Sequence, residues 1–190
     1  MPDTVRTIEE IKALLADNTT GLISPQDLRD MLVSLNDTGW GQYSDTQYTS
    51  TAFSVAADVD TALPNNKGGV IESYKPADVT TFYNGSVITG STGDSMTITI
   101  DMSALPTSAT TTLLEVWFDI GGSFGELYRR LISFPKGNGI VRPINFTVGV
   151  YSLDTWAANG ASVFCRANGP VDLSNIRYVI TRTHRGGRSA

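Results

Sequence analysis

One histidine and one cysteine stand in a chain of 190 residues, so nucleophilic catalysis would have to run through His184 or Cys165. A serine triad needs its base on a rigid mounting, and His184 lies six residues from the end, beside Gly186, Gly187 and Arg188. A thiol nucleophile would need the same histidine. The alternation Val163, Phe164, Cys165, Arg166 instead places Cys165 on one strand face with Val163, as a buried, inert thiol. The carboxylate pairs Asp58/Asp60 and Glu115/Asp119 have the residue types of a glycosidase acid and base, but charges on the solvent side of a strand are the commoner use of such residues. Gly121 to Glu126 is glycine-rich like a phosphate loop, yet it lacks the Lys-Ser/Thr pair and is followed by strand, so no helix dipole backs its amides. Two lone thiol and imidazole groups make neither a zinc site nor an internal disulfide framework, and no EF-hand spacing is present. The expectation is a protein without catalytic, cofactor or metal residues.

The elements that carry these residues change character along the chain. Thr7 precedes Glu10 at capping-box spacing, and Ile8, Ile11 and Leu15 then share one helical face. A second helix is expected from Ser24 as N-cap, Pro25 at the first position and Asp27 at the third, with Leu28, Leu32 and Leu35 repeating the stripe. Helices of about a dozen residues are marginal alone in water, so both must dock. They pack either on their own domain or on symmetry mates or a foreign surface. The next stretch, Asn36 to Gln42, sets two glycines around Trp40 and reads as a short linker with an aromatic anchor.

From Tyr43 the apolar period becomes two. Met96, Ile98, Ile100 and Met102 alternate with polar residues, as do Leu114, Val116, Phe118 and Ile120, then Phe146, Val148 and Val150. Strands are expected near 50–59, 69–74, 79–89, 95–102, 112–120, 126–134, 143–151, 161–167 and 174–183, separated by turn clusters such as Asn84-Gly85 and Asn159-Gly160. That pattern specifies a mainly β protein: a two-helix arm over 1–37, a linker over 38–47, an antiparallel β-sandwich of jelly-roll type over 48–185, and a flexible tail over 186–190. Alternation puts Trp117 with Glu115 and Asp119 on the face away from the core, as a surface aromatic or a subunit contact.

Charge narrows the partners. Fourteen Lys and Arg against 19 Asp and Glu give a net charge of −5, which disfavours nucleic acid. No run approaches the roughly 18 apolar residues of a membrane span, so no membrane insertion is expected. The start of the sequence lacks the basic and apolar regions of a secretory signal, and the chain reads as made in a reducing cytoplasm.

Several segments resemble a family. Leu22-Ile23-Ser24-Pro25-Gln26-Asp27-Leu28-Arg29-Asp30-Met31-Leu32 is similar to the N-terminal helical segment of virion appendage proteins of tailed bacteriophages. The body resembles a group of phage structural proteins through Tyr48-Thr49-Ser50, Asp119-Ile120-Gly121-Gly122, Phe134-Pro135-Lys136-Gly137, Leu153 to Gly160 and Arg182-Thr183-His184, in that order. Val59-Asp60-Thr61 departs from it, standing where the group carries a basic, turn-rich stretch.

The resemblance implies a non-enzymatic virion protein made in the host bacterium: a homotrimeric jelly-roll head held by its arm on the capsid as a decoration protein or head fibre. The anchoring and oligomer residues would be Ile8, Ile11, Leu15, Leu28, Leu32, Leu35, Trp40 and Trp117. The alternative is a tail fibre or a lectin-like module that binds host glycan, with Trp156 and Asn159 as the glycan contacts.

Overall fold

A computed structural model describes residues 6, 10, 11, 13, 23–35, 38–137 and 139–186. The helix α1 (Pro25–Leu35) begins as its sequence dictates. The Ser24 backbone N–H and hydroxyl both donate to one Asp27 carboxylate oxygen, at 2.8 and 2.7 Å, and the Asp27 N–H donates back to the Ser24 hydroxyl. These bonds from Ser24 hold the Asp27 carboxyl below its ordinary value. Among the described side chains of α1, Asp30 is almost fully enclosed and accepts from Arg6 and Gln26, each at 2.8 Å. Leu28 and Leu32 are 49% and 64% exposed. Of the expected first helix, Glu10, Ile11 and Ala13 are helical and Ile11 is buried. Thr7, Ile8 and Leu15, and the Leu35 side chain, lie outside the described residues.

Ten strands follow: β1 (Gly39–Ser44), β2 (Phe53–Val55), β3 (Thr61–Ala62), β4 (Gly69–Ile71), β5 (Ser95–Pro106), β6 (Leu113–Asp119), β7 (Glu126–Ser133), β8 (Arg142–Tyr151), β9 (Ser162–Ala167) and β10 (Val171–His184), with a short helix α2 (Asp154–Asn159) before β9. One sheet has the order β4-β1-β10-β5-β8, with β2 added to β10, and the other β3-β9-β6-β7. All named pairs are antiparallel. Apart from the β6–β7 hairpin, strands next to each other in a sheet come from distant parts of the chain, in the double Greek-key order of a jelly roll. The alternation in sequence supplies the core: Ile98, Ile100, Phe146, Tyr178 and Ile180 point from the first sheet toward Leu114, Val116, Phe118, Val163 and Cys165 of the second.

Three expectations about elements are corrected. The stretch given as a linker contains β1, which lies between β4 and β10, so the sandwich begins at Gly39. Gly39 is there for close approach, since a Cβ would meet the Tyr74 carbonyl oxygen at 2.5 Å. Residues 79–89 form no strand. They loop across the end of the sandwich, with isolated bridges Tyr83–Ile88 and Ile88–Ala161. The tail begins tied down, because the Gly186 N–H donates to Asp94 at 2.7 Å; residues 187–190 lie outside the described residues.

That loop is pinned by a buried ion cluster. Arg182 closes the inward row of β10 at 1% exposure and makes two 2.7 Å bonds to Asp78, with Asp94 4.0 Å away. Burial pushes the Asp78 carboxyl up, but the bonds and charge of Arg182, with Arg185, outweigh it and hold the group below 3.8. Such a carboxylate stabilises the fold fully above its unfolded value and loses that contribution as pH falls through its lowered native value. Arg182→Met is expected to cost about 3 kcal/mol at neutral pH by urea unfolding, a little under the fully buried case because Asp78 is partly open to water. The difference from wild type narrows below pH 3.8.

Candidate functional site

The three tryptophans are committed within their own chain. Trp117 lies on the outer face of β6, as alternation requires, yet it is only 2% exposed. A β-bulge sets Tyr128 and Arg129 of β7 opposite it, with Tyr128 at φ 56°, and so swings Arg129 across the indole. The guanidinium carbon sits 4.0 Å from the ring centroid, Phe164 stacks at 6.0 Å, and Arg129 is fixed by Glu115 and Glu126. Trp117 is therefore a roofed aromatic and does not offer its face to a subunit. Alternation along β6 could not show this, because the roof comes from a bulge in another strand.

Trp156 is 2% exposed, packs beside Phe118 and donates its indole N–H to the Ile88 carbonyl at 3.1 Å. Asn159 is exposed and donates to the Ile120 carbonyl at 3.1 Å. The glycan contact assigned to this pair thus loses its aromatic platform. Trp40 is half-buried and stacks on Tyr74 at 5.1 Å, which fastens β1 to the segment after β4.

The other candidate groups take structural partners. Cys165 is wholly buried, and burial pushes its thiol up to about 12. Asp58 and Asp60 share Arg166, at 3.6 and 3.3 Å, and Asp119 accepts from the Gly121 N–H at 2.7 Å. His184 is exposed at the end of β10. Among the described residues, no three His, Cys, Asp or Glu side chains converge as a metal site requires. No helix of those residues is long and apolar enough to cross a membrane.

What the structure brings together is an apolar side of the sandwich. At one end, a groove of about 400 Å³ lies between the β6–β7 turn and the segment after β8, lined by Phe124, Leu127, Tyr128, Tyr151 and Leu153 above the buried Trp156. Phe124 is 71% exposed and Tyr151 67%. At the other end, Arg130, Leu131 and Ile132 of β7 face Pro143 to Phe146 of β8 across a second cleft. The edge strands β7 and β8 therefore run along one side, which Leu131 and, ahead of β8, Ile140 and Val141 keep greasy. The opposite edges, β3 and β4, carry exposed Val59, Val70, Ile71 and Tyr74. None of these residues was marked by periodicity. The bulge breaks the alternation of β7, and Phe124 sits in a glycine-rich turn.

No protein-family model and no curated protein matches the chain. Solved structures similar to it include "PRD1 vertex protein P5", 19% identical over 78% of this chain and 73% of that one, with a TM-score of 0.40. The TNF protein Eiger from S. frugiperda is 10% identical over 80% of this chain and 96% of that one, with a TM-score of 0.47. A structure of infectious bursal disease virus, Gx strain, is 10% identical over 79% of this chain and 33% of that one, with a TM-score of 0.37. The assignment of the fold rests on the strand order itself.

Removing the roof of Trp117 tests its role. Arg129→Ala is expected to cost about 1–2 kcal/mol and to shift tryptophan emission to the red, with the molecular mass in solution unchanged. Native Cys165 is expected to resist alkylation at pH 8 and to react once the chain is unfolded in guanidinium.

Proposed function

We propose that this chain is a non-enzymatic structural protein of a virus particle, of the tailed-phage appendage type: a homotrimeric jelly-roll head attached to capsid or tail proteins by its N-terminal arm. The observation that carries the reading is the mismatch between α1 and the head. The sandwich closes its core between its own two sheets, while α1 turns Leu28 and Leu32 outward. A short helix with Leu28 and Leu32 in water is marginal alone, and burying each leucine is worth roughly 1.5–3 kcal/mol, so these two residues suit a surface that the head does not supply.

The register also favours this use. Gly39, Arg182, Met96 and Val150 lie in one row across four strands, which sets the exit of the arm at the same end of the sandwich as Tyr151. In a symmetric cluster all arms then leave from one end. Three linked arms meeting a repetitive lattice gain about 10²–10⁴ in avidity over one.

The test is a comparison of the full chain, a chain starting at Gly39, and Leu28→Asp/Leu32→Asp. All three are expected to fold and to trimerise by light scattering. Only the full wild-type chain is expected to be incorporated into virions grown on cells that express it with an epitope tag. Incorporation of the Gly39 form at the wild-type level would overturn the anchoring role.

A further inference from the structure

Four asparagines of this chain precede a glycine, at positions 84, 138, 159 and 168. Such a pair is chemically labile, because glycine has no side chain to keep its backbone nitrogen away from the amide carbon of the asparagine before it. The fold treats the pairs differently. The Gly160 N–H is committed to the Trp156 carbonyl at 2.7 Å and the Gly139 N–H to that of Pro106 at 3.0 Å, so neither nitrogen is free to attack. The Asn168 amide is clamped at both ends: its oxygen accepts from the N–H groups of Thr112 and Leu113, its nitrogen donates to the Thr112 hydroxyl, and Gly169 is buried. Asn138 lies outside the described residues.

Asn84 is the exception. Asn84, Gly85 and Ser86 are all exposed, and Gly85 stands at φ 104° with open space where a Cβ would be. Among the described residues, neither the Gly85 N–H nor the Asn84 amide nitrogen donates a hydrogen bond. The side chain is nonetheless held in place. Its oxygen accepts from the Ser86 and Val87 N–H groups, each at 2.9 Å, which folds the amide forward over the Gly85 peptide and draws electron density from its carbon. Two backbone donors aimed at an oxygen that gains negative charge in a tetrahedral intermediate make the arrangement of an oxyanion hole. The Asn84 N–H donates to the Val87 carbonyl at 3.2 Å, and the bridge between Tyr83 and Ile88 closes the turn beneath it.

We propose that Asn84 is a site of spontaneous deamidation and isoaspartate formation in the folded protein. The Gly85 nitrogen gives its proton to hydroxide and attacks the Asn84 Cγ. The new N–C bond closes a five-membered succinimide, the Cγ–Nδ2 bond breaks, and the nitrogen leaves as ammonia after taking a proton from water. A second water then opens the ring: addition at Cγ leaves aspartate, and addition at the main-chain carbonyl leaves isoaspartate, whose backbone is one methylene longer. Either product adds a negative charge to a chain already at −5. The extra methylene enters a turn seated closely on Gly160, where a Cβ would already meet the Val87 side chain at 2.5 Å. This chemistry depends on neither the trimer nor the arm.

Peptide mapping of the full wild-type chain tests it. One sample is aged folded at pH 8 and another unfolded in guanidinium at the same pH, and isoaspartate is told from aspartate by electron-transfer fragmentation. The ratio of folded to unfolded rate is read at each site. It is expected to be one or more at Asn84, with isoaspartate among the products, and lower by about tenfold or more at Asn159 and Asn168, since each hydrogen bond that must first open lowers the reactive population severalfold. A ratio below one at Asn84 overturns the inference, as does a ratio at Asn159 or Asn168 equal to that of Asn84.

Discussion

Every backbone amide in a sheet needs a partner, and a two-sheet sandwich has four edges where no further strand exists to provide one. This constraint shapes the molecule. Two of its edges, β3 and β4, are reduced to two and three residues. The other two are long, with eight residues in β7 and ten in β8, and both lie on the side where apolar groups reach the surface. A chain that shortens two edges and lengthens the other two distinguishes its own flanks. Devices that commonly blunt an edge are present on the long pair but incomplete: Pro143 stands second in β8, and the bulge at Tyr128 twists β7 away from a flat template.

The interior meets a second constraint, because the long excursion from β3 to β5 has to be held against the sandwich with little regular structure of its own. Tyrosines do much of this. Tyr43, Tyr83 and Tyr178 meet edge-on at 5.6 and 5.3 Å, and each hydroxyl is used by the excursion: Tyr43 donates to Glu72 and accepts from the Phe82 N–H, Tyr83 donates to the Asn65 carbonyl, and Tyr178 to that of Leu63. A phenol suits the task because its ring fills the core while its hydroxyl satisfies a backbone group that a buried loop would leave bare. Burial pushes the Tyr43 and Tyr83 hydroxyls up to about 12, so they remain donors across the whole range in which a protein is handled.

The body of the sandwich was legible in the sequence because its strands bury one face only. The rows Met96 to Met102, Leu114 to Phe118 and Tyr178 to Ile180 face inward as their period requires, and Ser24, Pro25 and Asp27 start α1. The misses have local causes. Gly39 and Gly41 hide the alternation of β1, since a missing side chain looks the same in sequence whether it serves a hinge or a close contact. Residues 79–89 are rich in the Val, Thr, Phe, Tyr and Ile that favour strands, yet they lie in a loop whose bonds go to side chains and carbonyls elsewhere. Trp156 and Trp117 drew notice as large aromatics, but their roles depend on groups 68 residues and 12 residues away, at Ile88 and Arg129, which no spacing rule connects. The exposed side between β7 and β8 exists only once the two sheets are stacked, so no single strand announces it.

The position of β10 carries a consequence for how this protein is made. At 14 residues it is the longest strand, it is the latest of the described strands in the chain, and it lies in the middle of its sheet, between β1 and β5. Until it emerges from the ribosome, β1 and β5 have no common neighbour, and the inward rows of both stay wet. Folding of the head therefore waits until β10 has been synthesised, and nascent chains that stop short of it present bare β-sheet to the crowded cell in which they are made.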